Sequence, residues 1–207
     1  MKTLSGMWPR LFRCGVQLID DRSGLAATEF AFIVPLMLVM FFGTVELSSG
    51  IAVDRKVTLV ARTLSDLTSQ STSVMDNDLK NFFTASYGIL SPYSATPTQA
   101  TISEVYINSS NVAKIQWSKA ATVSQGGSTV TATLTTSSHS AGDTVTIPSS
   151  LAVAGTYLIW SEVSYLYTPA VGYVMGSAGV TLTDRSFTRP RQTTNVPYCT
   201  STSSCTP

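Results

Sequence analysis

Glu29 stands at the head of a long apolar stretch, where a carboxylate must either do work or find water. Residues 30–45 read FAFIVPLMLVMFFGTV, 16 positions without a charge. An ionised carboxylate inside a membrane segment costs at least ~2.5 kcal/mol near its centre. Glu29 is therefore either a functional group or a residue that rests among lipid headgroups with no partner. A free ammonium at the start of such a helix, one turn before the carboxylate, would compensate its charge in a medium of low dielectric. The other chemistry on offer is sparse. His139 is the only histidine and lies in SSHSAG, residues 137–142, which reads as a mobile loop. A catalytic triad would need it oriented by a carboxylate and set beside a nucleophile. The chain has no Gly-Lys-Ser/Thr phosphate loop, no H-E-x-x-H and no Cys-x-x-Cys, which removes the commonest nucleotide, zinc-protease and dithiol chemistries. One His and three Cys leave little material for a transition-metal site. The expectation is a protein that is not an enzyme, with no metal and no cofactor.

The elements that must position these groups follow from patterning. Residues 25–45 form a stretch with one carboxylate and read as a transmembrane helix, because its rise of about 30 Å matches the hydrocarbon thickness of a bilayer. A buried core helix is one alternative, disfavoured because the apolar residues leave no wet face. A cleaved secretory signal is another, disfavoured by the long polar leader. The first 24 residues carry Lys2, Arg10, Arg13 and Arg22 against Asp20 and Asp21. That bias keeps the N-terminus on the cytoplasmic side and sends the rest across. Arg55, Lys56 and Arg62 on the far side weaken the bias.

Beyond the membrane, Leu47, Ile51, Val57, Val60, Leu64 and Leu67 give an apolar stripe at helical spacing. A helix over residues 25–68 would be about 65 Å long. Gly43, Gly50 and Pro35 favour bends, and Pro35 removes one backbone donor. The second half of that helix either packs on other helices as a stalk or on its own domain. Ser73 with Asp76 is a capping-box pair, and predicts a short helix that ends before Pro92. Strands are expected over 102–107, 112–119, 129–135, 144–147, 157–167 and 180–187, with turns at 108–111 and at Gly126-Gly127. The fold class is α+β: a long N-terminal transmembrane and stalk helix, then a mainly antiparallel β domain with a short helix. The divisions are a leader at 1–24, a transmembrane helix at 25–45, a helical stalk at 46–70 and a periplasmic domain at 71–207. Trp160, Tyr165 and Tyr167 form either a binding face or part of the core, the commoner role of strand aromatics.

Composition agrees with this division. Only 12% of residues are charged, the formal net charge is +1, and Ser and Thr number 58. Near-neutrality argues against a nucleic-acid partner. A 43% hydrophobic share argues against a disordered chain. Without its leader the chain would carry 9 basic and 10 acidic side chains.

Ser23-Gly24 followed by Leu25-Ala26-Ala27-Thr28-Glu29-Phe30 resembles the prepilin processing signature: a Gly, a cleavage point, four residues, a Glu and an aromatic. The longer run from Ala27 to Gln70 is similar to the TadE/TadG-like family, minor pseudopilin-like proteins of tight-adherence (Flp-type) pilus systems. The shared features are Glu29-Phe30, Pro35 inside the helix, Gly43 to Glu46, and Ala61-Arg62 leading into a polar helix. The resemblance implies removal of the leader between Gly24 and Leu25 by a prepilin peptidase. It implies an assembly role for Glu29 and Phe30, in which Glu29 neutralises a new N-terminal amine. It implies a single-pass inner-membrane protein with a periplasmic C-terminal domain. Its partners would be the bilayer, other pilins or pseudopilins, and the assembly platform. Together with the expected topology, it favours a bond between Cys199 and Cys205, with Cys14 left in the leader; two free thiols are the alternative, since spacing does not fix connectivity. A second functional reading is a membrane-anchored periplasmic domain that binds a ligand or cell-wall polymer.

Overall fold

The structure is a computed structural model and describes residues 23–169, 179–201 and 204–206. The predicted leader, apart from Ser23 and Gly24, and Cys14 with it, lie outside the described residues. The described residues form two compact units, divided between Leu47 and Ser48.

The first helix, α1, spans Ser23–Ser69 and includes Pro35. Its portion in the first unit turns apolar side chains outward on all sides: Phe32 is 83% exposed, and Phe30, Leu36 and Met40 are similarly open. Such a surface would be costly in water at roughly 25 cal/mol per Å². The helix is long and apolar enough to cross a membrane once.

The second unit is an α+β domain. Its sheet is antiparallel, in the order β3-β2-β1-β5-β6, with β4 also beside β2. The strands are β1 (Thr98–Ile107), β2 (Ala113–Gly126), β3 (Thr129–Thr135), β4 (Thr144–Val145), β5 (Tyr157–Tyr167) and β6 (Val180–Thr188). β7 (Tyr198–Ser201) and β8 (Ser204–Thr206) make a separate small hairpin. The second helix, α2, spans Asp76–Gly88. Alternation along the strands gives the sheet two buried faces. One packs on the helices, through Ile102, Trp117, Ile159 and Val163 with Leu64, Leu79 and Phe83. The other carries Val105, Ile107, Ile115, Leu158 and Trp160, packed against Val145, Ile147 and Leu151 of the β3–β5 connection.

The part of α1 in this unit packs on its own domain. Val53, Val57, Val60, Leu64 and Thr68 are all buried, at spacings of three and four. Ile51 is 48% exposed, because six residues before Val57 is two-thirds of a turn off the buried stripe. α2 begins at Asp76, later than the Ser73 cap expected. Val74 is drawn instead into a parallel bridge with Tyr198, and the Met75 N–H donates to Asp78 Oδ2 at 3.0 Å. The pairing of β1 with β2 shifts between Glu104 and Val105, opposite Trp117 and Ile115. Gln116 is the extra residue of a bulge. Ile115 and Trp117, two apart in sequence, thus point to opposite faces.

Candidate functional site

Gly24, Leu25, Glu29, Phe30 and Pro35 all lie on α1. Leu25 and Glu29 are four residues apart, which places them on one face with about 6 Å of rise between them. An amine created at Leu25 would therefore stand one turn before the Glu29 carboxylate. Glu29 and Gly24 are exposed, and a side chain at Gly24 would meet nothing within 4 Å. Phe30 is 68% exposed. Gly24, Glu29 and Phe30 are thus all accessible on the helix, with Glu29 one turn after Leu25.

Cys199 and Cys205 lie elsewhere, in the second unit, paired across β7 and β8 and joined by a disulfide. The bond closes only the hairpin on itself. What holds the hairpin to the domain is a strap, residues 191–199. Its first anchor is the Arg191 N–H, which donates to the Ser69 carbonyl at 2.9 Å. The Val74 N–H donates to Pro197 and the Cys199 N–H to Val74, at 3.0 and 2.9 Å. The Tyr198 hydroxyl donates to Asp76 Oδ1 at 2.7 Å, and Lys119 Nζ lies 4.3 Å over its ring. Burial pulls the Lys119 ammonium down, but Tyr198 and Asp76 outweigh it and the net shift is upward.

The centre of the strap is held by two side chains from the sheet. Val196 is fully buried. Its N–H donates to Glu104 Oε1, and its carbonyl accepts from Trp117 Nε1 at 2.8 Å. Glu104 and Trp117 are direct cross-strand partners. Together they satisfy both backbone groups of one residue, as a neighbouring strand would. Glu104 is 0% exposed, and its Oε2 has no hydrogen-bond partner among the described residues. Burial pushes its carboxyl up to about 7, against the lowering effect of the Val196 N–H and the Trp117 indole. The role of Glu104 does not follow from the sequence alone. The available signal was a lone carboxylate alternating with Ile102 and Tyr106 along a strand.

On the opposite face, His139 Nε2 lies 2.7 Å from Glu162 Oε2, and Arg185 Nε 2.9 Å from Oε1. Trp160 stacks on Phe187 at 5.9 Å. His139 is therefore held, and the loop read as mobile is tied to β5. A shallow cleft of about 480 Å³ beside it is lined by Gln99, Thr101, Ser164, Thr183 and Arg185. Tyr165 and Tyr167 belong to the helix-side core, and Trp160 to the core of the other face.

Among the described residues, one long apolar helix joined to a small α+β domain defines the class: a membrane-anchorable chain whose domain carries a C-terminal strap. Residues 24–64 match the family model described as TadE-like protein, the family the sequence resembles. The matched segment associates the chain with tight-adherence pilus systems. It contains Gly24, Leu25, Glu29, Phe30 and Pro35 and ends at Leu64, before the β domain. No curated protein and no solved structure matches the chain.

Proposed function

We propose that this chain is an inner-membrane minor pseudopilin-like component of tight-adherence (Flp-type IVb) pilus biogenesis. It assembles through α1 and supports surface attachment. The observation that carries this reading is the coincidence of the TadE-like match with an apolar helix whose head bears Glu29 one turn after Leu25. Leader removal by a prepilin peptidase on the cytoplasmic side would free the Leu25 amine. Glu29 would then compensate that ammonium, on its own helix or a neighbour's, where the membrane makes either charge alone costly. The domain would sit in the periplasm, where the Cys199–Cys205 bond is stable. Its partners would be other pilins or pseudopilins and the assembly platform.

Glu29→Gln tests the assembly role. The variant should reach the membrane in normal amount, because it loses a charge there. Piliation and surface attachment should fall at least tenfold. Unchanged piliation with normal membrane levels would show that Glu29 has no part in assembly.

A further inference from the structure

Past its peptide connection to β6, the strap that carries the C-terminal hairpin has no covalent cross-link to the sheet or helices among the described residues, since the Cys199–Cys205 bond lies wholly inside the hairpin. Its closure depends on the hold of Glu104 and Trp117 on Val196. One member of that hold can change charge. Glu104 is completely enclosed, one carboxyl oxygen takes the Val196 N–H, and the other has no partner among the described residues. A neutral carboxyl tolerates such a place far better than an anion, which needs several donors or a counter-ion.

Two donors answer a negative charge at Glu104, the Val196 N–H and the Trp117 indole, and burial outweighs both. β2 presents Trp117, which does not titrate, and the strap presents Val196. Lys119, two residues past Trp117, directs its Nζ to Asp76 and the Tyr198 ring. β5 presents Tyr157, whose phenol is raised first by its own burial and then by the charges of Glu104 and Tyr106. Tyr106 of β1 lies against Tyr157, with ring centroids 4.8 Å apart. No Lys or Arg of α1 or α2 is paired with Glu104 among the described residues.

We propose that Glu104 is a proton-operated latch for the C-terminal strap. With the carboxyl neutral, the strap is closed on the sheet. With the carboxylate ionised, the strap and its hairpin let go as a unit while the sheet and helices stay folded. The fold raises this carboxyl from 4.5 to about 7. The contribution to closure is therefore complete below pH 4.5 and is lost as pH rises through 7. Between those values the closed state holds about one more proton than the open one, so the opening constant rises about tenfold per pH unit. Release would uncover Trp117 and free the backbone of Val74.

Hydrogen exchange on the full chain in detergent micelles, read as protection factors between pH 5 and 8, decides the matter. The Val196, Val74 and Cys199 amides should lose about 40-fold in protection from pH 5 to 7. The Ile102 and Ala121 amides, in the β1–β2 ladder, should hold theirs. Glu104→Gln should keep the strap protected at every pH, because its carboxamide still accepts from Val196 and carries no charge. A strap indifferent to pH in the natural chain would overturn the latch, even if the variant does not fold. So would an equal loss in the sheet amides, or a pH-dependent strap in the Gln variant.

Discussion

His139 Nε2 lies 2.7 Å from Glu162 Oε2, so the chain's one histidine ties the β3–β5 connection to the middle of β5. The tie has company. Ser137 Oγ is 2.6 Å from Ser118 Oγ, the Ser140 N–H donates to Asp143 Oδ2 at 2.7 Å, and the Gly142 N–H donates to the Ile115 carbonyl at 2.7 Å. The connection is a fitted cover over Ile115, Leu158 and Trp160. Glu162 is its central acceptor, with one oxygen for His139 and the other for Arg185.

Glu162→Gln should therefore loosen this cover without unfolding the domain. The His139–Glu162 pair is about three-quarters shielded, which places its contribution above that of an open surface pair, at about 1 kcal/mol. Limited proteolysis should cut within residues 137–142 several times faster in the variant. Chemical denaturation should show the small loss. Proteolysis at the natural rate would mean that the serine and backbone bonds hold the cover alone.

Most of the architecture was legible because it rests on periodicity. β3 and β5 match the expected strands end to end, and β6 to within one residue. β1 and β2 run longer than expected. Their outer residues, Thr98 to Thr101 and Ala120 to Gly126, are mostly small or polar, with Ala100, Ala121 and Val123 the only buried apolar side chains among them. β4 is shorter, since only Thr144 and Val145 pair with β2. The turn at 108–111 was readable from its Asn residues: Asn108 Oδ1 accepts from the Ser110 and Val112 N–H groups, and Asn111 takes φ 58°. What stayed hidden were partnerships between distant residues. Glu104 and Val196 are 92 positions apart, and His139 and Glu162 are 23 apart, on unconnected elements. Locally Glu104 shows only that it shares a strand face with Ile102 and Tyr106; strand order is what places it under the strap. The membrane-segment residues were legible for the opposite reason: Glu29 stands out against an apolar background within a few residues.

Leu64→Ala should separate the buried and exposed faces of α1. Leu64 is fully buried between helix and sheet, and Leu59, five residues before it, is 49% exposed. Truncating a buried leucine costs about 2–5 kcal/mol in transfer and cavity terms. Leu59→Ala should change stability by less than about 0.5 kcal/mol. Urea unfolding of the full chain in micelles, followed by tryptophan fluorescence, measures both. Equal losses would mean that Leu59 is covered in the folded protein.

Two buried indoles make a sharper comparison. Trp117 and Trp160 are each 5% exposed. The Trp117 N–H donates to the Val196 carbonyl, whereas Trp160 Nε1 has no partner among the described residues. Trp117→Phe should cost about 2–4 kcal/mol, because it removes ring volume and strands a buried carbonyl. Trp160→Phe removes similar volume but also an unsatisfied donor, and should cost at least about 1 kcal/mol less. The same unfolding curves test the ranking. A reversed order would show that the Val196 hold contributes nothing to stability.

The proposed processing predicts a mature N-terminus at Leu25. Gly24 is exposed and an added side chain would meet no neighbour, so a bulky residue there should leave the fold intact and act only on the peptidase. N-terminal sequencing of the protein purified from its native membrane should read Leu-Ala-Ala-Thr-Glu. Gly24→Val should instead accumulate the chain with its leader, in the membrane and folded. Removal of the leader takes away Lys2, Arg10, Arg13 and Arg22 with Asp20 and Asp21, so the mature form should also focus at lower pH than the precursor. A mature start at Met1 would exclude the new amine as the partner of Glu29. A start near Ile51 would mean that the apolar segment is removed as a signal, and that assembly through α1 is wrong.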